Sequence, residues 1–546
     1  MRRVIAVSAA AALTLGIAGG VTATAAHGST VHPGTIANSY TPPPINWHKC
    51  SDPTLQQFGA QCGFLVVPLN YNHPHGQTIK IALSRIKHTV PKSQYQGIML
   101  VNPGGPGGSG LILSILGQFV PNHAGDAYDW IGFDPRGVGS SQPALSCNPH
   151  FFHGDRPPYV PWNKRILDRW VSRSKQYAAD CKNSAHSNLF RHVKTVDNVR
   201  DMDNIRKALH RNRINYYGFS YGTYLGQVYA TMFPNRVRRM VLDSNVDPRK
   251  VFYRSNQAQD VAFQRTFDIY LRWIAKNHKY YHLGDTAKAV HRQYRQTVAM
   301  LNRHAADGIL GGDEFSDLMQ NPAYYVYNWD VIAHAWQDLV NKNDPSTLVN
   351  FYTSSNPGTP GSDNEFAIYL GTQCSDAPWP RSQARLNRDN WALNKNYPFL
   401  TWPNAWFNGP CAYWKFPHRS PVQVTGRNVH VPVLLIDETF DPATPYEGSL
   451  YIRHIFPTAS LIEGKNGTTH AGSLSGVACT DDSIARYLTT GAVPQRKAHY
   501  GSDKVCPPVP KPAPTMEGST RAAWSPALSA AYKKVRAAIN GAAIRP

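Results

Sequence analysis

Short apolar runs recur along the chain and predict the strands of a sheet. Each is three to six residues long and rich in Val, Ile, Leu or aromatic side chains, which is typical of parallel strands buried on both faces. Ahead of them, Cys62–Leu69 and Thr78–His88 alternate apolar with polar positions, which predicts a strand pair. The apolar runs are Gly97–Val101, Trp130–Phe133, Ile214–Tyr217, Met240–Leu242 and Val431–Ile436.

Helical patterns separate these strands. Val196, Val199, Met202 and Ile205 recur every three or four positions. They therefore share one face of a helix, and Thr195 is expected at its N-cap. Alternation of strand and helix predicts an α/β fold with a doubly wound, mostly parallel sheet.

The alternation stops between residues 250 and 415 and resumes with Val431–Ile436. The intervening stretch is aromatic and polar. A sheet that is interrupted and later completed carries its insertion on top, so we predict an inserted, largely helical cap. The predicted segments are a leader at 27–49, the first part of the core at 50–250, the cap at 251–415, the second part of the core at 416–506, and a C-terminal Pro-rich linker and helix at 507–546.

Residues 1–26 have the layout of a secretory signal peptide. Arg2 and Arg3 precede an apolar stretch that ends in the small residues Ala-Thr-Ala-Ala, as a cleavage site does. The alternative is an uncleaved membrane anchor, since residues 4–26 are long enough to span a bilayer. We favour the signal because no aromatic or basic stop follows it, and we expect a secreted protein.

The composition indicates a folded protein with a sizeable hydrophobic core and a basic net charge. Of 546 residues, 42% are hydrophobic and 17% charged, which excludes a peptide-sized scaffold and a disordered chain. The net charge of +21 becomes +19 when residues 1–26 are removed. A basic chain favours anionic neighbours. We therefore expect electrostatic association with an anionic cell wall. We expect no nucleic-acid partner, and the sequence leaves the oligomeric state open.

Cysteine usage agrees with export. The chain has eight cysteines, an even number, and eight permit 105 pairings. Neighbours in the chain close the shortest loops, so we expect these to pair. No CxxC or HExxH spacing is present, and we predict no metal site and no cofactor. The expected disulfides are Cys50 with Cys62, Cys147 with Cys181, Cys374 with Cys411, and Cys479 with Cys506.

The segment 218–222, Gly-Phe-Ser-Tyr-Gly, matches the G-x-S-x-G pattern of a nucleophile elbow. It follows the strand Ile214–Tyr217 and precedes a helical stretch, Tyr224–Met232, which is the strand–turn–helix that the elbow needs. Glycines flank the serine because so tight a turn admits no Cβ on either side. Ser220 is therefore the predicted nucleophile, and a plain glycine-rich turn is the alternative.

A serine hydroxyl needs a base to remove its proton, and a carboxylate and then a histidine are expected after it in the chain. Three acids compete after the strand Val431–Ile436: Asp437, Glu438 and Asp441. We favour Asp441 because it lies a few residues past the strand end in a loop stiffened by prolines, whereas Asp437 is too close to the buried strand. For each of them the alternative is a solvated loop carboxylate.

The base is expected beyond one further strand. Ser460–Ile462 supplies that strand, and the glycine-flanked loop 464–472 carries a single histidine, His470. Only His499 follows it in the chain. We therefore predict His470 as the base.

Backbone amides are expected to stabilise the oxyanion. The glycine-rich segment Asn102–Gly110 follows the strand Gly97–Val101, and the amides of Gly105 and Tyr221 are the predicted donors. The same segment contains G-x-G-x-x-G, but a proline within it removes an amide, so nucleotide binding is disfavoured. Asp134 and Arg136 are expected to form a structural pair near the elbow.

These segments together resemble the secreted tripeptidyl aminopeptidase branch of the α/β-hydrolases, which are relatives of the prolyl iminopeptidases. The resemblance extends from about Cys50 to Cys506. It implies a Ser220, Asp441 and His470 triad and the release of short peptides from free N-termini. The motifs that carry it are Asn102–Gly110, residues 132–140, residues 218–222, Asp441–Pro445 and His470.

Two positions depart from the family pattern. Thr469 precedes the base where a glycine is usual, and Pro103 stands where prolyl iminopeptidases have a histidine. An exopeptidase of this kind needs carboxylates for the substrate ammonium, and the cap offers Asp376 or Glu365 for it. Peptide or protein substrates with a free N-terminus are the expected partners. The alternatives are a carboxylesterase or lipase on the same triad, or a non-catalytic basic cell-wall-binding protein.

Overall fold

The computed structural model describes residues 40–514 and 526–541. Within these residues, ten strands form one sheet and sixteen α-helices surround it. The strands are β1 (His48–Lys49), β2 (Gln61–Pro68), β3 (Thr78–Ile86), β4 (Ile98–Asn102), β5 (Asp129–Phe133), β6 (Ile214–Phe219), β7 (Val237–Asp243), β8 (Val433–Glu438), β9 (Ala459–Gly464) and β10 (Lys504–Cys506).

The helices fall into three groups along the chain. Helices α1 to α4 precede β7, helices α5 to α13 lie between β7 and β8, and helices α14 to α16 follow β8. The helices are α1 (Pro53–Gln57), α2 (Lys164–Asn183), α3 (Thr195–Ala208), α4 (Tyr221–Met232), α5 (Tyr253–Lys276), α6 (His278–Tyr281), α7 (Ala287–Leu301), α8 (Gly312–Tyr324), α9 (Trp329–Lys342), α10 (Ser346–Ser355), α11 (Asn364–Asp376), α12 (Gln383–Asn394), α13 (Thr401–Phe407), α14 (Glu447–Ile455), α15 (Ala478–Thr490) and α16 (Pro526–Gly541).

The sheet order is β1-β2-β3-β5-β4-β6-β7-β8-β9-β10. The pairs β1/β2, β2/β3 and β3/β5 are antiparallel, and every pair from β5/β4 to β9/β10 is parallel. Each run predicted from the sequence coincides with a strand. The strands β1 and β10, of two and three residues, are too short to leave a pattern.

Alternate residues of the central strands pack on opposite faces of the sheet. In β4, Ile98 and Leu100 enter one hydrophobic cluster, whereas Met99 and Val101 enter another. Helix α16 covers the second face with Ala531, Val535 and Ile539, at the spacing of four that marks one side of a helix. The C-terminal helix is therefore part of the core.

The cap has its own hydrophobic centre, drawn from α5 to α10 and the segment before α13. Part of the chain before β6 also packs against the cap helices. Trp170 of α2 stacks on Trp406 of α13 with ring centroids 5.7 Å apart, and Arg156 pairs with Glu314 of α8 at 2.7 Å. The segment around residues 156–170 was assigned to the core from the sequence, yet it lies against the cap.

Four disulfides link the cysteines, in the neighbouring pairs expected from the sequence. They join residues 50 with 62, 147 with 181, 374 with 411, and 479 with 506. The signal peptide and most of the leader lie outside the described residues. In the described part of the chain, no helix combines the length and apolarity needed to cross a bilayer.

Candidate active site

Ser220 lies at the sharp turn between β6 and α4. Its backbone has φ 55° and ψ −127°, a strained conformation for a side-chain-bearing residue. A Cβ on Gly218 would lie 2.6 Å from the carbonyl of Gly222, and one on Gly222 would lie 2.7 Å from the carbonyl of Asn102. The glycines of the motif therefore let the turn close against its neighbours.

His470 and Asp441 form a buried pair in the loops that follow β9 and β8. The imidazole Nδ1 lies 2.8 Å from Asp441 Oδ2 and 3.0 Å from Oδ1, and neither side chain has exposed surface. The amides of Ala443 and Thr444 donate to Asp441 Oδ1 at 2.9 and 2.8 Å. These two hydrogen bonds hold the Asp441 carboxylate in the orientation in which it contacts the imidazole.

The Thr444 hydroxyl completes this group. It donates to Asp441 Oδ2 at 3.1 Å and lies 3.4 Å from His470 Nδ1. On the other side of the ring, His470 Nε2 has no hydrogen-bond partner within the described residues. The imidazole is thus oriented through Nδ1, and Nε2 is left to exchange a proton.

The histidine loop is held from three directions. The His470 amide donates to the carbonyl of Tyr324 in the cap at 3.0 Å, and the Ala471 amide donates to the Ser244 hydroxyl at 2.7 Å. Arg536 of α16 is buried and donates to the Ala471 carbonyl at 2.8 Å. Arg536 also donates to the Ser473 carbonyl. The C-terminal helix therefore clamps the loop that carries the predicted base.

Asp437 and Glu438, the two competing acids, form hydrogen bonds with groups other than His470. Asp437 accepts a hydrogen bond from the Ser449 hydroxyl at 2.5 Å, and burial, with the nearby Asp441 charge second, raises its pKa well above the usual range. Glu438 accepts the amides of Thr469 at 2.5 Å and Val509 at 2.6 Å. Burial raises the pKa of Glu438 to about 8. Asp441 is the acid that contacts His470.

The predicted oxyanion donors flank Ser220. Tyr221 is the first residue of α4, so its amide has no acceptor within the helix. The loop that carries Gly105 lies against the elbow, since a Cβ on Gly104 would lie 2.9 Å from the Tyr221 nitrogen. Asp134 holds the far end of this loop by accepting the Gly110 amide at 2.9 Å.

Asp134 and Arg136 do not pair with each other, and this expectation was wrong. Arg136 donates instead to both oxygens of Asp201 on α3, at 2.6 and 2.7 Å. Asp134 accepts hydrogen bonds from the loop amides of Gly110 and Ser140. Both residues thus stabilise the loops behind the site, but through separate partners.

A cleft opens at Ser220. One side comes from the oxyanion loop, and the other sides come from the cap helices α5, α11 and α13 together with the loop after Asp441. The lining residues are Gly105, Pro106, Ser220, Gln259, Tyr324, Glu365, Phe366, Tyr369, Gln373, Leu400, Asn404, Phe407 and Ala443.

Of the two acidic residues predicted for the substrate amine, only Glu365 is among those that line this cleft. The Glu365 carbonyl lies 2.5 Å from the position of a Cβ on Gly107. Asp376 is buried elsewhere, where it accepts hydrogen bonds from the Thr195 amide at 3.0 Å and from the Thr195 hydroxyl. Asp376 therefore holds the start of α3. The N-cap residue there is Lys194, not Thr195 as expected.

No group of three metal-ligating side chains occurs among the described residues. The Ser220 hydroxyl lines the cleft, and the His470 imidazole, oriented by Asp441, is buried and makes no hydrogen bond to Ser220 in the described part of the chain. With the backbone amides of the elbow and the oxyanion loop, these are the groups available for chemistry. This set is suited to transfer of an acyl group through a serine ester.

A family model for the alpha/beta hydrolase fold matches residues 97–467. This chain belongs to the α/β-hydrolase family. The hydrolase is 36% identical over 480 residues to a tripeptidyl aminopeptidase of Streptomyces coelicolor, covering 86% of this chain and 87% of that protein. It is 31% identical over 474 residues to the serine protease Hip1 of Mycobacterium tuberculosis, covering 83% of this chain and 90% of that protein.

A third relative carries a different activity in its name. The hydrolase is 28% identical over 486 residues to a protein of Mycobacterium tuberculosis named carboxylesterase B, covering 86% of this chain and 92% of that protein. The family membership makes this chain a serine hydrolase, and the relatives' names divide between peptide and ester chemistry.

Sequence reasoning missed the residues that support the triad in this hydrolase. Arg536 and Tyr324 contact the histidine loop from 63 or more positions away along the chain, and no local pattern encodes such contacts. Thr444 lies three residues after Asp441 and was open to prediction as a turn residue that bonds its own loop.

Proposed function

We propose that this chain is a secreted serine exopeptidase that releases short peptides, principally tripeptides, from free N-termini. The observation that carries the proposal is the His470–Asp441 pair, oriented by amides and with Nε2 unpartnered, beside the cleft that Ser220 lines. The name of the Streptomyces relative, tripeptidyl aminopeptidase, supports the choice of substrate.

The proposed reaction proceeds in two acyl-transfer steps. Ser220 Oγ attacks the scissile carbonyl carbon while His470 Nε2 accepts the hydroxyl proton. The imidazolium then gives that proton to the leaving amine as the C–N bond breaks, and an acyl-serine ester remains. Water then attacks the ester carbonyl while His470 Nε2 accepts its proton. The imidazolium returns this proton to Ser220 Oγ as the acyl–oxygen bond breaks, which releases the peptide acid and regenerates the hydroxyl.

Charge develops twice during this reaction. The carbonyl oxygen becomes an oxyanion in each tetrahedral intermediate, and the amides of Gly105 and Tyr221 are proposed to stabilise it. Asp441 stabilises the imidazolium through Nδ1. Glu365, in the cleft, is the proposed carboxylate for the substrate ammonium.

The proposed location is outside the cell. Four disulfides fit an oxidising compartment, and residues 1–26 have the pattern of a signal peptide. A net charge of +19 on the remaining chain favours association with an anionic cell wall.

Three substrates test the proposal: a tripeptide anilide, its N-acetylated form and a short-chain acyl ester. We expect the free tripeptide to be cleaved at least about tenfold more efficiently, in kcat/KM, than the blocked one, because a buried ammonium–carboxylate contact is lost. Ser220→Ala supplies the background rate. Equal cleavage of free and blocked peptides would refute an aminopeptidase, and cleavage of the ester alone would favour the carboxylesterase alternative.

A further inference from the structure

A second cavity lies in the cap beside the catalytic cleft. Asn404 of α13 lines both spaces. On α5 the neighbours Gln259 and Asp260 face different spaces, since Gln259 lines the cleft and Asp260 lines the second cavity. The two spaces therefore lie on either side of Asn404 and of the segment of α5 that carries Gln259 and Asp260.

Five of the eighteen residues that line this cavity are aromatic, and most of the others are polar. Aromatic rings attract cations through their negative faces, and they pack against the methylene groups that carry a terminal charge. The aromatic lining residues are Tyr253, Trp379, Trp402, Trp406 and Tyr413.

Asp260 supplies a carboxylate without a charged partner. It is 2% exposed, and the amide of Asn404 donates to its Oδ1 at 2.9 Å. Across residues 40–514 and 526–541, no Arg, Lys or His forms an ion pair with Asp260 and no other donor to it is found. Burial raises the pKa of Asp260 to about 8, and the Asn404 bond offsets only part of this rise.

Two other buried acids of the cap have a charged partner or several donors within the chain, whereas Asp313, like Asp260, receives a single hydrogen bond, from the Tyr159 amide at 2.9 Å. Glu314 receives Arg156 Nε at 2.7 Å, and Asp363 accepts the amides of Cys147 and Asn148. Burying a carboxylate without a counter-charge costs several kcal/mol in general, so Asp260, with a pKa of about 8, stays protonated at neutral pH until a cation pairs with it. An acid left uncompensated at the wall of an open cavity is therefore arranged for a cation that comes from outside the chain.

Two further polar atoms of this cavity lack partners. Trp402 Nε1 and Ser174 Oγ are buried, and neither makes a hydrogen bond within the described residues. Both can donate to a carbonyl oxygen. A backbone carbonyl close to a positive group would satisfy them, and a peptide carries both groups.

We propose that this cavity binds an ammonium or guanidinium group of the peptide substrate, with Asp260 as its counter-ion and the aromatic side chains around its methylene stem. The substrate part of this inference rests on the proposed peptidase function. The cation has two sources in a peptide: the N-terminal amine, which Asp260 would then bind in place of Glu365, and the side chain of a Lys or Arg residue.

Direct binding tests the site independently of catalysis. The probes are n-butylammonium and n-butylguanidinium, compared with the uncharged n-butylurea, and the readout is the emission of the tryptophans that line the cavity. In the intact wild-type chain we expect each cation to bind at least about tenfold more tightly than the urea, because only the cations pair with the carboxylate. Equal affinities would overturn the site, with no variant needed.

Asp260→Asn locates the binding. We expect the variant to lose about tenfold or more in affinity for both cations while its affinity for n-butylurea is kept. Asp338→Asn is the matched control, because it removes a cap acid that pairs with Lys342 on α9 and does not line the cavity. Unchanged cation binding in a folded Asp260→Asn, or an equal loss in Asp338→Asn, would overturn the assignment.

Steady-state kinetics distinguish the two sources. If the N-terminal amine is bound, Asp260→Asn raises KM for a free tripeptide anilide without basic residues and not for its acetylated form. If a side chain is bound, KM rises for lysine-containing peptides and not for their norleucine counterparts. In either case kcat changes less than KM. A KM unchanged for every substrate would overturn the role in substrate binding, whereas a chain that binds the cations but cleaves no peptide would refute the proposed function alone.

Discussion

Two buried aspartates, one at the edge of the sheet and one in the cap, are supported in opposite ways. Asp441 accepts two backbone amides, a threonine hydroxyl and an imidazole. Asp260 accepts one side-chain amide. Both are almost fully buried. A carboxylate that only orients another side chain can be satisfied entirely by the chain, whereas a carboxylate that receives a ligand must keep part of its capacity unused.

The surroundings of the two aspartates differ in the same way as their hydrogen bonds. The edge of the sheet is fixed by the ends of parallel strands, by the cap carbonyl of Tyr324 and by Arg536 of α16. The cap cavity is lined by aromatic and polar side chains, and two of its polar atoms have no hydrogen-bond partner among the described residues. We therefore expect variants at the edge to change kcat, and variants in the cavity to change binding.

The largest effect is expected for Asp441→Asn. An amide in this position favours the wrong tautomer of His470 and gives the imidazolium no counter-charge, so kcat should fall by about 10⁴-fold. Steady-state cleavage of the tripeptide anilide measures the loss. Asp437→Asn is the control at the same strand end, and an equal loss there would contradict the assignment of the acid.

A smaller loss is expected for Arg536→Met. The substitution removes the bonds to the Ala471 and Ser473 carbonyls, so the histidine loop is held less firmly and kcat should fall roughly 10- to 100-fold, with KM nearly unchanged. Lys533→Met, at an exposed position of the same helix, is the matched control. A folded Arg536→Met with wild-type kcat would show that the clamp does not position the base.

The smallest effect is expected in the pH dependence of stability. The pKa of Asp260 in the folded chain is about 8, above the value of about 3.9 for an unfolded aspartate. Its contribution to the free energy of unfolding is therefore present at low pH and is lost as the pH rises through about 8. Relative to the wild type, Asp260→Asn should gain in Tm from about pH 5 to pH 9. A Tm difference that stays constant over this range would contradict the uncompensated charge.

The same division explains what the sequence could predict. The strands, the elbow and the order Ser220, Asp441, His470 follow from short apolar runs and from residues adjacent to strand ends. Parallel strands bring those ends to one edge of the sheet, so local patterns were enough to propose which residues meet there. The direct contact of Asp441 with His470 agrees with that proposal.

The cap was not predictable in this way, because its contacts join residues that are distant in the chain. Asp376 was proposed for the substrate amine, yet it bonds Thr195, which lies 181 positions earlier. Asp260 was not singled out, since nothing local separates it from an acid on a solvated helix face. The apolar spacing of Ala531, Val535 and Ile539 marks α16 as amphipathic, but it does not say which surface the helix covers.

Labelling with a fluorophosphonate probe, followed by peptide mapping, tests the central claim most directly. An activated serine beside an oxyanion site reacts with such a probe, so we expect a single modification on Ser220 in the folded wild-type chain. Ser220→Ala should remain unlabelled, and His470→Ala should react at least about 10³-fold more slowly. Absence of labelling in the folded wild type, or modification of a different serine, would contradict the account.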